Sequence, residues 1–437
     1  MVAGGRLWKA HSLYSHDSAT AHVSVRQVQI HGRWRVRGNA MTTNMDNPNH
    51  DALPSFATAD AMVAALQPRE PVYCLYADRL SAVARRFVND FPGKPMFAVK
   101  ANPFPGVIDA LWDAGIRCFD TASLPEIALV HDRHPDAELF YMAPVRIHGT
   151  VRDAFERYGV RNFVVDHPNE LARVLGETDP KETTVFVRTA VANEDAIYDL
   201  STKFGASIAD TLAMIDTVQK AGAEAALAFN VGSMVMSPNS YELGIEICTG
   251  ILEKTGVPIR KLDVGGGFPW AYPDIAAPEL EAYFTRISDA KSALPLAADA
   301  VVYCEPGRSL VADGMSLVVQ VLLRKDDSIY INDGVYGSFS ENNISGGDVW
   351  YPTKIIRTDG SEPVGETRMM TVFGPTCDSL DKLPKPVPLP ADIREGDWIE
   401  IGTMGAYSNC VRTSFNGFYP DTFVSITDGT PPELEAR

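Results

Sequence analysis

The chain has 437 residues, of which 45% are hydrophobic and 22% are charged, which is the ordinary composition of a globular protein. This length is sufficient for two domains with a large core. The formal net charge of −17 argues against nucleic acid as a partner, because phosphate binding requires a basic face, and it fits a cationic substrate. No apolar stretch reaches the length of a membrane span, so we expect no membrane partner.

Six cysteines are present, and none of them belongs to a C-x-x-C pair: Cys74, Cys118, Cys248, Cys304, Cys377 and Cys410. Closely paired cysteines are typical of zinc sites, and disulfide frameworks occur mainly in small secreted proteins. The pattern therefore predicts a reduced, cytoplasmic protein without a metal site or a disulfide framework.

The first forty residues differ from the rest of the chain, because they are rich in arginine and histidine and Asp17 is their only acidic residue. They contain no apolar segment of a secretory signal. We expect translation to start at Met41 or Met45, with residues 1–45 forming a disordered extension or not being made. A transit peptide is the alternative.

From about residue 95, β-rich runs, polar or glycine-containing turns and amphipathic stretches alternate along the chain. Eight predicted strands cover residues 96–100, 117–121, 139–143, 162–166, 184–189, 226–230, 261–264 and 301–305. Six helix-like segments lie between them, at residues 107–114, 150–158, 169–175, 211–221, 241–254 and 280–293. This alternation predicts an α/β fold, a (β/α)8 barrel of the TIM type over residues 70–315, with a doubly wound open sheet as the alternative.

Short strands dominate after about residue 315, which predicts an all-β C-terminal domain over residues 316–437. Its predicted strands cover residues 317–323, 328–332, 369–373, 398–401 and 422–426. Turns rich in Gly, Pro and Asp separate them, as at residues 384–390. A β-rich run at residues 71–76, within the segment 55–76, precedes the barrel and is predicted to join this domain.

Lys100 is the last residue of the first predicted barrel strand, and the turn sequence Asn102-Pro103 follows it. In such barrels, ligands bind at the carboxyl ends of the strands. A lysine held in an apolar strand mouth is desolvated, which lowers its pKa, and a neutral amine can form a Schiff base. The alternative is a lysine that points into solvent.

Glycines and charged residues follow the last two predicted barrel strands. Consecutive glycines at residues 265–267 let backbone N–H groups approach an anion, and Glu305 and Arg308 follow the eighth strand. Barrel enzymes often bind phosphate at these two loops. Together with Lys100, the pattern points to pyridoxal 5'-phosphate (PLP), with Glu305 keeping the pyridine nitrogen protonated. A tight turn and a surface ion pair are the alternatives.

Ordered motifs across residues 70–425 carry a family resemblance. They are Phe97-Ala98-Val99-Lys100-Ala101-Asn102, Phe119-Asp120-Thr121-Ala122-Ser123, Lys203-Phe204-Gly205, Val231-Gly232-Ser233, Asp263-Val264-Gly265-Gly266-Gly267-Phe268, Glu305-Pro306-Gly307-Arg308, Asn332-Asp333-Gly334-Val335-Tyr336-Gly337-Ser338-Phe339, Gly374-Pro375-Thr376-Cys377-Asp378-Ser379 and Gly405-Ala406-Tyr407. With them, the chain resembles the fold-type III PLP-dependent decarboxylases, the ornithine, lysine, arginine and diaminopimelate group, with alanine racemase as a more distant relative. The Cys377-Asp378 pair resembles the ornithine and lysine branch, because diaminopimelate decarboxylases typically have Cys-Glu there.

The resemblance implies a role for each matching residue. Lys100 would carry the cofactor, and Cys377 would return a proton to Cα after CO2 leaves. The implied cofactor-binding residues are Lys100, Asp120, Arg188, Asn230, Ser233, Gly265, Gly266, Gly267, Glu305, Gly307, Arg308 and Tyr407. Asp333 and Asp378 would receive the side-chain amine of ornithine or lysine, which would yield putrescine or cadaverine. In this family the neighbouring subunit contributes Cys377 and Asp378, so a homodimer with shared active sites is implied.

Asn230 departs from the family pattern, since family members usually have a histidine stacked on the cofactor ring immediately before Val-Gly-Ser. An amide lacks the aromatic face and the titrating nitrogen. Two other functions therefore stay open: a catalytically silent homologue that binds partner proteins, as antizyme inhibitors do, and a decarboxylase or racemase with an altered substrate. Cys377 as a core cysteine and Asp333 as a turn residue are further alternatives.

Overall fold

The computed structural model describes residues 53–193, 196–198 and 203–433, so the predicted N-terminal extension at residues 1–45 lies outside the described residues. Eight parallel strands form a closed barrel: Lys94–Ala98, Cys118–Thr121, Glu138–Tyr141, Asn162–Val165, Thr184–Arg188, Glu224–Ala228, Lys261–Asp263 and Val301–Cys304. The eighth strand pairs with the first, with Tyr303 opposite Lys94. The predicted barrel is confirmed, and the open doubly wound sheet is wrong.

Successive residues of the barrel strands belong to two different apolar clusters. Met96, Phe140 and Tyr303 pack in a cluster made almost entirely of barrel-strand residues, with the rings of Phe140 and Tyr303 5.2 Å apart. Phe97 and Phe163 belong to the larger cluster that also contains helix residues. Because side chains alternate along a strand, each barrel strand contacts both the interior of the barrel and the surrounding helices.

Helices connect the barrel strands and surround the barrel. The α-helices are Ala59–Leu66, Ala77–Asp90, Pro105–Asp113, Leu124–Arg133, Thr150–Tyr158, Pro168–Glu177, Ile208–Ala221, Asn239–Thr255, Leu280–Ser292, Arg308–Val311 and Ser340–Ile344, and 3-10 turns occur at Val99–Ala101, Pro180–Glu182, Ala312–Gly314 and Phe415–Gly417. Side-chain caps start several of them; for example, Ser207 Oγ accepts a hydrogen bond from Asp210 N at 3.1 Å. None of the described helices is both long enough and apolar enough to span a membrane.

A nine-stranded sheet forms the second part of the fold. Its strands are Ser55–Phe56, Val72–Leu75, Met315–Lys325, Ser328–Ile331, Thr353–Ile356, Thr367–Phe373, Val387–Pro390, Trp398–Ile401 and Thr422–Ile426, and a separate short pair joins Ala196–Tyr198 to Ser233–Val235. Val72–Leu75 lies between Met315–Lys325 and Thr422–Ile426. The segment that precedes the barrel therefore pairs with strands that follow it.

The predicted turn at residues 384–390 is wrong in its second half. Val387–Pro390 is a strand that runs antiparallel to Thr367–Phe373, with Val387 opposite Met370. It is the last strand in the order of the sheet. An edge strand tolerates proline because the N–H groups on its outer side need no partner in the sheet, so proline content misleads the prediction here.

Candidate active site

The site lies at the carboxyl ends of the barrel strands, where a single pocket contains most of the residues predicted from the motifs. Nine of them line it: Lys100, Asn230, Ser233, Gly266, Gly267, Glu305, Gly307, Arg308 and Tyr407. Tyr407 comes from the C-terminal part of the chain, and its backbone N donates to Ala101 O at 2.9 Å. Both parts of the fold therefore contribute to the pocket.

Lys100 lies in the 3-10 turn Val99–Ala101, directly after the first barrel strand, and its Nζ is 3.4 Å from Asp120 Oδ2. The side chain of Lys100 is 48% exposed and that of Asp120 is 2% exposed. The Asp120 carboxylate raises the pKa of Lys100, although burial acts in the opposite direction. The predictions that Lys100 ends the strand and has a lowered pKa are therefore wrong, because a neighbouring buried carboxylate outweighs desolvation.

The glycine turn at residues 265–267 allows two loops to approach each other closely. Gly265 and Gly267 have φ angles of +74° and +103°, which L side chains rarely adopt. A Cβ atom at Gly267 would lie 2.8 Å from Gly232 O, closer than carbon and oxygen can pack. The glycine turn therefore lies against the loop that carries Ser233, at a separation that only glycine permits.

Asn230 connects this loop with Glu305. Its Nδ2 donates to Glu305 Oε2 at 3.5 Å, and its Oδ1 accepts from Gly232 N at 3.0 Å. Asp263 is a neighbour of Glu305, and burial together with the charge of Glu305 raises the pKa of Asp263 well above its usual range. Asp263 had no role in the sequence prediction, although its place in the glycine motif was a usable signal.

Arg308 is buried and also lines the pocket. Its Nη1 donates to Tyr272 Oη at 2.7 Å and to Glu341 Oε2 at 2.9 Å, and its Nη2 donates to Glu341 Oε1. Its guanidinium carbon lies 5.0 Å from the centre of the Tyr407 ring. Within the described part of the chain, Arg308 Nε has no hydrogen-bond partner. A buried donor at the pocket thus has no acceptor among the described residues and is available to a ligand.

The sequence matches known proteins across this barrel. The pyridoxal binding domain of the pyridoxal-dependent decarboxylases matches residues 77–312. The lysine/ornithine decarboxylase of Selenomonas ruminantium is 31% identical over 398 residues, which cover 88% of this chain and 97% of that protein. The chain belongs to the pyridoxal-dependent decarboxylase family. It is a PLP-dependent amino-acid decarboxylase, as the motifs predict.

Further members of the family share the fold. A structure of a mutant of the Selenomonas ruminantium lysine decarboxylase in complex with PLP has a TM-score of 0.76 and 28% identity, and it covers 86% of this chain and 97% of its own. The lysine/ornithine decarboxylase of Vibrio vulnificus complexed with putrescine has a TM-score of 0.73 and 29% identity, and it covers 86% of this chain and 100% of its own. Antizyme inhibitor 2 of Xenopus laevis is 31% identical over 364 residues, or 76% of each chain.

The residues of the pocket fit PLP. Lys100 offers an amine for the aldehyde, Glu305 offers a carboxylate for the pyridine nitrogen, and the free Nε–H of Arg308 suits a phosphate oxygen. A Cβ atom at Gly307 would lie 3.6 Å from Tyr407 Oη, so a side chain there would reduce the space in the pocket. Amine, carboxylate and anion-binding end occur together in one pocket, as the cofactor requires.

Cys377 and Asp378 do not line this pocket in their own chain. Cys377 is exposed, and its Sγ donates to Asn416 Oδ1 at 3.3 Å. Asp378 Oδ2 accepts a hydrogen bond from Tyr336 Oη at 2.5 Å. Because Cys377 is exposed, the alternative of a core cysteine is wrong.

Asp333 also lies outside the pocket, in the turn that follows Ser328–Ile331. Its Oδ1 accepts from Gly334 N at 2.7 Å and from Ser338 N at 3.2 Å. Burial raises the pKa of Asp333 to about 6. These contacts are those of a residue that stabilises a turn.

Arg188 ends the fifth barrel strand, and its guanidinium carbon lies 5.6 Å from the centre of the Phe204 ring. It does not line the pocket, but its charge opposes the pKa increase that Asp120 causes at Lys100. Arg188 therefore acts on the site through its electric field.

Proposed function

We propose that this decarboxylase acts on L-ornithine or L-lysine and releases putrescine or cadaverine, the diamines of polyamine biosynthesis. The Cys377-Asp378 pair carries the proposal. Hydrogen bonds from Leu380 N and Tyr336 Oη hold the pKa of Asp378 below its usual range, so its carboxylate is ionised. An ionised carboxylate suits the distal ammonium of a basic amino acid. The relatives named lysine/ornithine decarboxylase support the same substrates.

Each residue of the pocket would hold one part of the cofactor. Glu305 would face the pyridine nitrogen and Lys100 the aldehyde. The phosphate would lie among Ser233, Gly265, Gly266, Gly267, Gly307, Arg308 and Tyr407. When bound, PLP supplies an electron sink for the electrons of the breaking Cα–carboxylate bond.

Proton transfer would be the task of three side chains. Asp120 Oδ2, 3.4 Å from Lys100 Nζ, would hold the protonated amine at the pocket, and Lys100 would act as a nucleophile only after this proton has left. After CO2 leaves, Cys377 Sγ would donate a proton to the substrate Cα. Asp378 would hold the far end of the substrate during both steps, which keeps the Cα carboxylate in one orientation.

Cys377 and Asp378 would serve the pocket of a partner subunit. Exposed apolar side chains surround them: Leu380 is 72% exposed and Phe415 is 40% exposed. The Phe415 ring lies 4.7 Å from the ring of Tyr336, which contacts Asp378. Exposed apolar groups beside reactive side chains are typical of an interface between subunits. We therefore propose a homodimer with shared active sites.

Release of labelled CO2 from L-ornithine, L-lysine, L-arginine and diaminopimelate tests the substrate assignment. We expect the highest kcat/KM for ornithine or lysine. Asp378→Asn should raise the KM for that substrate about tenfold, because it removes a charge-assisted hydrogen bond. Activity on diaminopimelate alone would refute the assignment.

A second candidate role, regulatory binding of a partner protein in place of turnover, is favoured by Asn230 and by the similarity to antizyme inhibitor 2. The presence of Lys100, Arg308 and Cys377 favours a catalytic role. Covalent attachment of PLP to Lys100 gives an absorption band at about 420 nm. Protein that lacks this band after incubation with PLP would support the regulatory role. Exchange of the Cα hydrogen without CO2 release would identify a racemase.

A further inference from the structure

Glu341 lies beside the cofactor pocket, although none of the sequence motifs assigns it a role. It is 7% exposed and belongs to the short helix Ser340–Ile344, which follows the strand Ser328–Ile331 of the C-terminal sheet. Its carboxylate forms a buried ion pair with Arg308, the first residue of the helix that follows the eighth barrel strand. The ion pair therefore joins the two parts of the fold beside the pocket.

The guanidinium of Arg308 is held in one orientation. Both of its terminal nitrogens donate to the two oxygens of Glu341, and one of them also donates to Tyr272 Oη. The ring of Tyr407 lies against the group. Among the described residues, no acceptor reaches Nε. Glu341 thus occupies the terminal edge of the guanidinium and leaves the Nε–H without a partner.

A ligand explains this arrangement better than the stability of the fold does. Two buried charges lose their hydration, and buried ion pairs contribute little net stability, so apolar residues would connect the two parts of the fold equally well. The buried Nε–H without an acceptor adds a further cost. An anion with acceptor oxygens removes that cost when it binds at Nε.

We propose that Glu341 is a positioning residue for the cofactor phosphate. It fixes the guanidinium of Arg308 so that the Nε–H stays free for a phosphate oxygen. The inference rests on the proposed assignment of Arg308 to the phosphate. Glu341 also neutralises the arginine, so the affinity for the phosphate comes from a donor held in place before binding and not from an unpaired charge.

In the alternative arrangement, the Glu341 carboxylate occupies the position of the cofactor phosphate on Arg308. It would then have to move away when the cofactor binds. The two arrangements predict opposite effects of removing the charge at Glu341. If Glu341 positions Arg308, Glu341→Gln leaves the guanidinium less firmly held and weakens the binding of PLP. If Glu341 competes with the phosphate, the same substitution strengthens it.

The experiment compares PLP with pyridoxal, which lacks the phosphate, in the full-length chain freed of cofactor. The protein is titrated with PLP or pyridoxal, and dissociation constants are taken from the absorption band at about 420 nm. Glu341→Gln removes the charge, and Glu341→Asp keeps it on a shorter side chain. Glu170→Gln is the matched control, because the side chains of Glu170 and Glu341 are both 9% exposed and Glu170 also pairs with an arginine, Arg173, at 2.6 Å.

For Glu341→Gln we expect a dissociation constant for PLP that is about tenfold higher and an unchanged constant for pyridoxal. The dissociation constant of Glu341→Asp for PLP should lie between those of Glu341→Gln and the unmodified chain. Glu170→Gln should change neither the constant for PLP nor that for pyridoxal. Tighter binding of PLP, or an equal change for both compounds, would overturn the proposal. Thermal unfolding shows whether Glu341→Gln folds. If it does not, the dissociation constants of Glu341→Asp test the proposal instead. An unmodified chain that binds no PLP would instead contradict the cofactor site itself.

Discussion

Asn230 donates a hydrogen bond from Nδ2 to Glu305 Oε2 at 3.5 Å. At the same time its Oδ1 accepts from Gly232 N at 3.0 Å. Asn230 therefore connects the carboxylate proposed for the pyridine nitrogen with the loop that leads to Ser233. A histidine at this position offers an aromatic face to a cofactor ring, whereas the amide offers a donor to the carboxylate and an acceptor to the backbone.

Asn230→Ala removes both of these contacts. We expect the dissociation constant for PLP to rise about fivefold, because a hydrogen bond of this kind contributes about 1 kcal/mol. Asn230→His should restore an aromatic face and raise kcat for the preferred amino acid. Absorbance titration and CO2 release measure the two effects. An Asn230→Ala variant that binds PLP as tightly as the unmodified chain would show that the contact with Glu305 does not hold the cofactor.

Cys377→Ala removes the proposed proton donor to Cα. We expect the formation of the amine product to fall about 10²-fold, since a positioned general acid contributes about 10²–10⁴-fold to a rate. Binding of PLP should be unchanged, because Cys377 does not line the cofactor pocket of its own chain. Product formation at the rate of the unmodified enzyme would exclude Cys377 as the donor.

Shared active sites predict that two inactive variants restore activity when mixed. Lys100→Ala lacks the cofactor lysine and Cys377→Ala lacks the proton donor, so a mixed dimer has one complete site. Random exchange of subunits in equal amounts should restore about 25% of the activity of the unmodified dimer. Each variant incubated alone under the same conditions is the control. Mixtures that stay inactive despite subunit exchange would contradict a shared site.

The barrel could be predicted from the sequence because its signal is local. Alternating apolar residues such as Phe97 and Phe140 mark each strand, and the strand count and the alternation with helices leave few possible topologies. The motif residues at the strand ends then converge, because parallel strands place their carboxyl ends at one edge.

The remaining features depend on contacts between distant residues. The pKa of Lys100 is raised because Asp120 is buried 3.4 Å away, and neither the burial nor the distance can be read from the sequence. The contact between Glu341 and Arg308 joins two parts of the fold through a short helix without a motif. The proposed roles of Cys377 and Asp378 involve a second subunit, which a single chain does not contain.

Asp333→Asn should change how stability depends on pH. Burial raises the pKa of Asp333 from 3.8 to about 6, so between these values the folded chain binds more protons than the unfolded chain. The free energy of unfolding of the unmodified chain therefore falls as the pH rises through this range, and between about pH 5 and pH 7.5 this group accounts for about 1 kcal/mol. The free energy of unfolding of Asp333→Asn should not show this decrease. Denaturant unfolding of both chains at the two pH values measures the difference.

The same variant separates the two roles considered for Asp333. An asparagine oxygen can still accept from Gly334 N and Ser338 N, so the turn is retained. If Asp333 only stabilises the turn, the KM for ornithine or lysine stays unchanged. A KM that rises about tenfold, with normal PLP binding, would instead assign Asp333 to the substrate ammonium.

Gly307→Ala should reduce the space in the pocket where the cofactor phosphate is proposed to lie. A Cβ atom there would lie 3.0 Å from Ala101 Cβ and 3.6 Å from Tyr407 Oη, and overpacking of this kind costs about 1–3 kcal/mol. We expect the dissociation constant for PLP to rise about tenfold, while that for pyridoxal changes less, because the added methyl group lies beside the proposed phosphate ligand Tyr407.

Gly176→Ala is the matched control for this substitution. Gly176 lies in the helix Pro168–Glu177, and a Cβ atom there meets nothing within 4 Å. Alanine should stabilise this helix slightly and leave both dissociation constants unchanged, because glycine is the weaker helix former. If Gly307→Ala and Gly176→Ala bind PLP equally well, the phosphate does not lie beside Gly307. Its binding would then have to depend on the glycine turn at residues 265–267 and on Arg308.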